Sequence, residues 1–322
     1  MSIKTVSRVL NQESRVRART RERVEAAMRE LKYRPNTSAR MLAGKRTYLL
    51  GLVYHENSSY IANLQNGAIG ACRGEHYDLL IYPCQYGSRT LLDELEDLVT
   101  TPRVDGLVLT PPFSDMPSVR KRLRQLAAHY VAISRASASA SEWSVATNDR
   151  EICREMVAHL ASLGHRRIAF VRGHHAHKAM QTRVLGFRDG MRAAGLRIAE
   201  SLIVKGDNTF ASGVAAGTRL LGLKNRPTAV FCANDHMAAG VMTVAHNLGL
   251  AVPRDLSIAG FDDLPLASQV WPRLTTVHQP LQQLGHHAVA LLLHQIRGKT
   301  PDSTHRIVES RLMPGDSTGP VA

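Results

Sequence analysis

Long apolar runs, a signal peptide and paired cysteines are all missing from this sequence. Its 322 residues contain no apolar stretch near the roughly 20 residues that a membrane-spanning helix needs. The first residues lack the hydrophobic core of a secretory signal. The cysteines stand far apart and form no CxxC pair, which indicates reduced thiols packed in cores: Cys72, Cys84, Cys153 and Cys232. We therefore expect a cytoplasmic protein without a membrane partner.

Signatures of catalysis are also scarce. The sequence has no GxSxG, Walker A or HExxH motif, and the glycines of residues 67–74 lie inside a helical pattern. Three predicted loop histidines, His174, His175 and His177, have no cysteine or carboxylate beside them, which favours solvent or an effector over a metal as their partner. We predict that the protein is not an enzyme and that it uses no cofactor and no metal.

Acidic residues are few at the amino end. The net charge of the chain is +14, and residues 1–46 contain thirteen basic and four acidic side chains, which leaves +9 in this segment. Such a basic segment favours a polyanionic partner, and nucleic acid is the commonest one. A solvated basic helix is the other interpretation that the charge alone leaves open.

Residues 1–12 have the pattern of a DNA-recognition helix that begins after a cap at Ser2. At helical spacing an apolar face lies opposite a polar one: Val6, Val9 and Leu10 against Lys4, Ser7 and Arg8. A second helix is predicted over 18–32, with an apolar stripe formed by Val24, Ala27, Met28 and Leu31. A short third helix over 37–43 needs a partner to be stable, because seven residues cannot hold a helix in water.

From residue 48 onward, apolar strands alternate with amphipathic helices. This alternation predicts parallel sheets covered on both faces, and two series of elements predict two doubly wound lobes. The strands are predicted at 48–54, 77–82, 104–110, 130–134, 167–171, 228–232 and 256–260. The helices are predicted near 60–74, 88–99, 117–128, 149–163, 180–194, 209–222, 234–247 and 281–297, with a crossover over 271–280.

Eight motifs in order give the chain a family resemblance. They are TVSRVLN (5–11), ELKYRPN (30–36), ARMLAGKRT (39–47), RVDGLVL (103–109), LGHRRIAFV (163–171), RPTAVFCANDHMAAG (226–240), VPRDLSIAGFDD (252–263) and LTTVHQP (274–280). Along nearly its whole length the chain resembles the lactose/galactose/purine repressor (LacI/GalR) family of bacterial transcription regulators. The resemblance implies an α/β protein with an all-α helix-turn-helix headpiece and a two-lobed, periplasmic-binding-protein-like core of doubly wound parallel sheets.

The resemblance also implies a division of the chain. We expect a partial helix-turn-helix headpiece over 1–35, a hinge helix and linker over 36–46, and an effector-binding and dimerisation core over 47–322. Within the core we expect an N-lobe of about 47–147 and 279–308, and a C-lobe of about 148–278 and 309–322. Family headpieces carry one more helix ahead of the recognition helix. We hypothesise that a start site assigned too late removed it, and a truncated protein is the alternative.

Residue roles in DNA binding follow from the same resemblance. Ile3, Lys4 and Arg8 would face base edges, where Lys4 and Arg8 can donate to guanine. Thr5 and Ser7 would contact phosphates, and Tyr33 and Asn36 match backbone-contacting positions. Leu42 matches the hinge leucine that family members insert into a minor-groove step, although packing between two hinge helices would also explain it.

Effector binding is expected beyond the carboxyl ends of the strands. Asn234 and Asp262 follow predicted strands, and Arg183 matches the arginine with which the family contacts its effector. Their neighbours Asp235 and Asp263 could equally serve as structural caps. At the mouth of the first lobe we expect contacts from Asn57 and Tyr60. Ser134 stands where many sugar-responsive members have an aspartate, which weakens the case for a simple hexose.

Together these features predict an effector-responsive repressor of a sugar or related metabolite operon. Its partners would be a pseudo-palindromic double-stranded DNA operator, a small effector (a sugar, a sugar derivative or a nucleoside-like molecule) and a second copy of the chain in a homodimer. Two alternatives stay open: a headpiece-truncated sensor of the same family with little DNA binding, and a solute-binding protein that shares the core fold.

Overall fold

The structure is a computed structural model that describes residues 2–10, 16–31, 46–101, 103–133 and 142–321. The chain divides into two compact units, Met1–Tyr48 and Leu49–Ala322. None of the helices in these described ranges combines the length and the apolar character that crossing a bilayer requires.

The first unit contains two described helices, α1 (Ile3–Leu10) and α2 (Ala18–Glu30). Ser2 caps α1 as predicted, because its Oγ accepts a hydrogen bond of 3.2 Å from the backbone N–H of Thr5. Val9 of α1 and Val24 of α2 are buried apolar side chains in the described part of this unit. The predicted apolar stripe of the second helix is only partly buried. Val24 is buried, but Ala27 is exposed, and Leu31 lies beyond the end of α2 and is 76% exposed.

The larger unit is built around two parallel sheets. The strands are β1 Leu49–Tyr54, β2 Asp78–Pro83, β3 Gly106–Leu109, β4 Tyr130–Ile133, β5 Ser144–Thr147, β6 Ile168–Arg172, β7 Ile203–Lys205, β8 Ala229–Cys232, β9 Ser257–Ala259, β10 Thr276–His278, β11 His305–Val308 and β12 Arg311–Met313. The N-lobe sheet has six strands in the order β11-β5-β4-β3-β1-β2, and the C-lobe sheet has four in the order β7-β6-β8-β9. A short antiparallel ladder joins β10 to β12.

Helices cover both faces of each sheet, which confirms the doubly wound prediction. The helices are α3 Ser59–Gly74, α4 Leu91–Thr100, α5 Pro117–Gln125, α6 Asp149–Ser162, α7 Lys178–Ala193, α8 Phe210–Leu221, α9 Asp235–Asn247, α10 Pro265–Gln269 and α11 Leu281–Ile296. In the N-lobe α3 and α11 lie on one face and α4 and α5 on the other; in the C-lobe the pairs are α6 with α7 and α8 with α9.

Glycines allow α3 and α11 to approach closely. A Cβ built on Gly67 of α3 would lie 1.9 Å from the backbone oxygen of Gln282, and one built on Gly285 of α11 would lie 2.1 Å from that of Leu64. The two helices therefore pack backbone against backbone at this crossing.

Three segments carry the chain between the lobes. The first runs from β5 into α6, the second from β10 into α11, and the third from β11 to β12. The sequence predicted the second of these segments as a crossover over 271–280. It did not predict β5, β7, β10, β11 or β12, whose three or four residues include polar side chains.

The four cysteines are buried, as predicted. Burial raises the pKa of Cys72 and of Cys84 to about 12, so both thiols stay protonated and unreactive at neutral pH. The predicted hinge helix over 37–43 lies outside the described residues.

Candidate functional site

A cavity of about 500 Å³ lies between the two lobes of the larger unit. Its walls come from the segments that follow the carboxyl ends of parallel strands, which is where open α/β sheets bind ligands. In the N-lobe these are the segments after β1, β2 and β3, and in the C-lobe those after β6, β7, β8 and β9. One lining residue represents each segment: His55, Tyr86, Pro111, His174, Asp207, Asn234 and Asp262.

Arg183 of α7 forms the charged floor of the cavity, although it is only 3% exposed. Its Nε donates to Asp149 at 2.9 Å, and its Nη1 donates to the backbone oxygen of Ala233 at 2.5 Å and lies 3.4 Å from the Asp262 carboxylate. The guanidinium also stacks over the ring of Phe261 at 3.6 Å. Burial alone would lower the pKa of Arg183, but the two carboxylates raise it, so the side chain stays charged.

Asp262 reaches the cavity from a backbone conformation that is rare for an aspartate, with φ +115°. Its amide donates to the backbone oxygen of Val277 at 2.9 Å, and its carboxylate accepts from Gln279 Nε2 at 2.5 Å. Burial raises the pKa of Asp262 to about 6, while Arg183 opposes that rise. A strained residue held by its neighbours at a cavity is typical of a functional site.

The adjacent residues Asn234 and Asp235 have different roles, one at the cavity and one in the core. Asn234 lines the cavity and caps α9, because its Oδ1 accepts from the amide of Met237 at 2.9 Å. Asp235 is fully buried, and its two carboxylate oxygens accept from Thr276 Oγ1 at 2.6 Å and from the amide of Leu264 at 2.9 Å. Of the two roles left open for Asp235, the structure therefore favours the structural one.

Histidines and tyrosines form the mouth of the cavity. Tyr86 of the N-lobe and His174 of the C-lobe meet edge to face with ring centroids 6.1 Å apart, and the ring centroid of His55 also lies 6.1 Å from that of Tyr86. Burial lowers the pKa of His174, and burial together with His174 and Arg183 lowers the pKa of His177 to about 4. These two histidines are therefore neutral at pH 7 and can both donate and accept hydrogen bonds.

The charges around the cavity favour an uncharged ligand. The one arginine of the described lining is compensated by two carboxylates, and two more acidic residues, Glu56 and Asp207, stand at the rim. A hydrogen bond from Thr209 lowers the pKa of Asp207, which keeps that carboxylate ionised. A phosphate or carboxylate ligand would find no uncompensated cation among these described residues.

Four of the six predicted effector residues line the cavity together: Tyr60, Arg183, Asn234 and Asp262. Asn57 is exposed in the segment after β1 but is not among the lining residues that the structure describes, and Ser134 lies outside the described residues. Tyr86, Phe210 and His236 also line the cavity and were not predicted from the sequence. Their place after a strand or near the start of a following helix was the signal that could have found them.

The predicted DNA-contacting residues are only partly described. Ile3, Lys4, Thr5, Ser7 and Arg8 all lie on α1. Arg8 is exposed, and the Thr5 hydroxyl lies 3.0 Å from that of Ser2. The other three predicted contacts, Tyr33, Asn36 and Leu42, lie outside the described residues.

In the described part of the chain, no group of three or more His, Cys, Asp or Glu side chains is arranged to hold a metal ion. The histidines at the mouth instead contact one another and Tyr86 through their rings, as in the stacked pair His174 and His175 at 4.6 Å.

Comparisons with known proteins cover both units. Residues 1–36 match the family described as bacterial regulatory proteins, lacI family, and residues 157–318 match a periplasmic binding protein-like domain. The chain is 32% identical over 309 residues to the ribose operon repressor of Escherichia coli K12, a match that covers 93% of this chain and 91% of the relative.

Two solved structures extend the likeness to the fold. A complex of the transcriptional regulator CelR with cellobiose has a TM-score of 0.79 and 30% identity, and the match covers 98% of this chain and 96% of that one. The lac repressor dimer bound to operator and to the anti-inducer ONPF has a TM-score of 0.79 and 28% identity, with coverage of 99% and 96%.

Proposed function

This chain belongs to the lacI family of bacterial regulatory proteins, and from that membership we propose a repressor of an operon for a sugar or related metabolite. It is a DNA-binding transcription regulator that responds to a small effector. One observation carries the proposal: a basic helix with an exposed Arg8 and a cavity floored by Arg183 occur in the same chain. We further propose that it acts in the cytoplasm, without catalysis, as a homodimer on a pseudo-palindromic operator.

We assign the headpiece to residues 1–35, the hinge to 36–46 and the effector core to 47–322. In the headpiece, Lys4 and Arg8 would read guanines, with Ile3 beside them and Thr5 and Ser7 on the phosphates. Tyr33 and Asn36 would contact the backbone of the duplex, and Leu42 would enter the minor groove. In the core, Arg183, Asn234, Asp262 and Tyr60 would hold the effector, with Asn57 and Ser134 at its edge.

The effector we propose is uncharged and rich in hydroxyl groups. Nη2 of Arg183 makes no hydrogen bond to the described residues, so it is free to donate to a ligand hydroxyl. Neutral histidines, the Asn234 amide and the Asp262 carboxylate offer matched donors and acceptors. Cellobiose, bound in one similar structure, and ribose, which names the operon of one relative, are compounds of this class.

Operator binding is tested by selecting bound duplexes from random DNA with the full chain. We expect a palindromic site, and Arg8→Ala should reduce the preference for that site by about 1–3 kcal/mol if Arg8 reads a guanine. Arg23→Ala removes a charge from α2 and is the matched control, whose preference should stay that of the parent. No preference over random duplex in either ligand state would contradict the proposal.

Effector binding is tested by thermal unfolding with D-ribose, cellobiose, adenosine and glucose 6-phosphate. A neutral compound present at a hundred times its dissociation constant should stabilise the chain by about 2.7 kcal/mol. Stabilisation by the phosphate ester alone would contradict an uncharged effector. A chain that binds an effector but no operator would be the stand-alone sensor that the sequence leaves open.

A further inference from the structure

Five polar side chains form a ring beneath the cavity. Arg183 donates to Asp149, the hydroxyl of Thr147 donates to the other oxygen of Asp149 and lies 3.5 Å from Gln279 Oε1, and Gln279 donates to Asp262. Nη1 of Arg183 closes the ring at 3.4 Å from Asp262. Four of the five are at most 7% exposed, and Thr147 is half-buried.

Only two members of the ring face the cavity. Arg183 and Asp262 line it, whereas Thr147, Asp149 and Gln279 do not. These three lie on the segments that cross between the lobes. Thr147 ends β5 and Asp149 begins α6, on the first crossing, and Gln279 follows β10, on the second.

The third crossing is tied to the same place. The side-chain oxygen of Asn148, between Thr147 and Asp149, accepts a hydrogen bond of 2.8 Å from the amide of Ser310. Ser310 lies between β11 and β12. All three crossings therefore meet at one polar network, and the cavity touches that network through two side chains.

Asp262 is also fixed to the second crossing through its backbone. Its amide donates to Val277, its carbonyl oxygen accepts from the amide of Gln279 at 3.4 Å, and it forms a parallel bridge with His278. Its φ of +115° persists because these bonds hold it. A ligand that moves the Asp262 carboxylate therefore acts directly on the strand that leads to α11.

We infer that Thr147 and Gln279 are positioning residues that transmit the state of the cavity to the angle between the lobes. They touch no effector and act through Asp149 and Asp262. The inference rests on the proposed function, because it assumes that the cavity is the effector site. A buried network of this kind has few satisfied arrangements, so a change at one member favours a different arrangement of all of them.

The test measures the distance between the lobes without any ligand. Spin labels at Asp97→Cys in α4 and Arg219→Cys in α8 report one position in each lobe, and the native thiols are buried and stay unlabelled. Labelled chains are diluted with unlabelled ones, so that distances within one chain dominate. Thr147→Val and Gln279→Met should each broaden the distance distribution about twofold, because the alternative lobe angles become populated.

Two controls separate the ring from general damage. Thr147→Ser keeps the hydroxyl and should keep the parent distribution. Thr228→Val removes a half-buried hydroxyl that bonds His165 at 2.9 Å outside the ring, and it should also keep the parent distribution. Broadening by Thr228→Val equal to that of Thr147→Val would overturn the inference, as would an unchanged distribution in both Thr147→Val and Gln279→Met.

Transmission is tested by perturbing the cavity side. Arg183→Lys should shift the distribution in the parent chain and shift it less in Thr147→Val or Gln279→Met, because part of the connection is already lost there. Additive shifts would overturn the inference. None of these results depends on an effector or an operator, so they stand apart from the tests of the proposed function.

Discussion

Polar residues at the ends of β8 and β9 have different roles: Asn234 and Asp262 line the cavity, whereas Asp235 is buried in the core. The end of a predicted strand was enough to place Asn234 and Asp262 at the cavity, because carboxyl ends of parallel strands converge. The same rule could not separate Asn234 from Asp235. The partner that turns Asp235 inward, Thr276, lies 41 residues further along the chain. The left-handed backbone of Asp262 could not be predicted from the sequence either, because it is held by hydrogen bonds to β10 and to the segment after it.

His177 makes the stability of the chain depend on pH in a predictable direction. Burial lowers its pKa from 6.5 to about 4. Below pH 6.5 this histidine therefore binds a proton more readily in the unfolded chain than in the folded one. The contribution of His177 to the free energy of unfolding is therefore fully present above pH 6.5 and is lost as the pH falls towards 4. When the pH is lowered from 7.5 to 5, the free energy of unfolding of His177→Gln should rise by about 2 kcal/mol relative to that of the parent.

Urea unfolding of both proteins at the two pH values measures this difference. Asp262 has the opposite effect, because its raised pKa stabilises the fold as the pH falls below about 6. This effect is the same in the parent and in His177→Gln, so it cancels when one free energy of unfolding is subtracted from the other. His286→Gln, at an exposed position of α11, is the control and should follow the parent. A constant gap between parent and His177→Gln at both pH values would show that His177 is not buried as described.

At the scale of elements, an uninterrupted apolar pattern decides what the sequence reveals. The helices of ten or more residues were predicted to within a few residues, because hydrophobic periodicity accumulates over their length, and short strands such as β3 and β8 were predicted because they are apolar and buried throughout. Strands such as β7 and β10 have polar residues within their three positions, so they show no apolar run and owe their extended form to their neighbours. Close helix crossings could not be predicted either, because a glycine in a helix can mark a close contact with a neighbouring helix or merely a less stable helix.

Gly67 and Gly70 of α3 are examples of these two cases. A Cβ at Gly67 would overlap the backbone of Gln282, whereas one at Gly70 meets nothing within 4 Å. We expect Gly67→Ala to lower the free energy of unfolding by about 1–3 kcal/mol, because the backbones of α3 and α11 must separate. Gly70→Ala should instead raise it by up to about 1 kcal/mol through helix propensity. Chemical denaturation of both variants checks this, and equal effects would contradict the close crossing.

At the scale of the whole molecule, the lobes are joined by more than the three crossings. Asp115 of the N-lobe, in the short 3-10 helix Phe113–Asp115, accepts a hydrogen bond of 2.9 Å from the amide of Lys178, the first residue of α7 in the C-lobe. A carboxylate at a helix N-terminus is favourable both as a cap and for its charge. This contact spans the lobes beside the cavity, and no sequence pattern links two residues 63 positions apart.

Asp115 therefore stabilises the arrangement in which the lobes enclose the cavity. Asp115→Ala removes this cap and should lower the free energy of unfolding by about 1 kcal/mol, while the radius of gyration from small-angle X-ray scattering increases. Asp115→Asn keeps a capping oxygen and should restore most of the parent behaviour, since Asn caps helices about as well as Asp. If Asn opened the lobes as much as Ala, the carboxylate charge and not the hydrogen bond would hold them. If neither variant changed the scattering profile, the contact would have no part in setting the angle between the lobes.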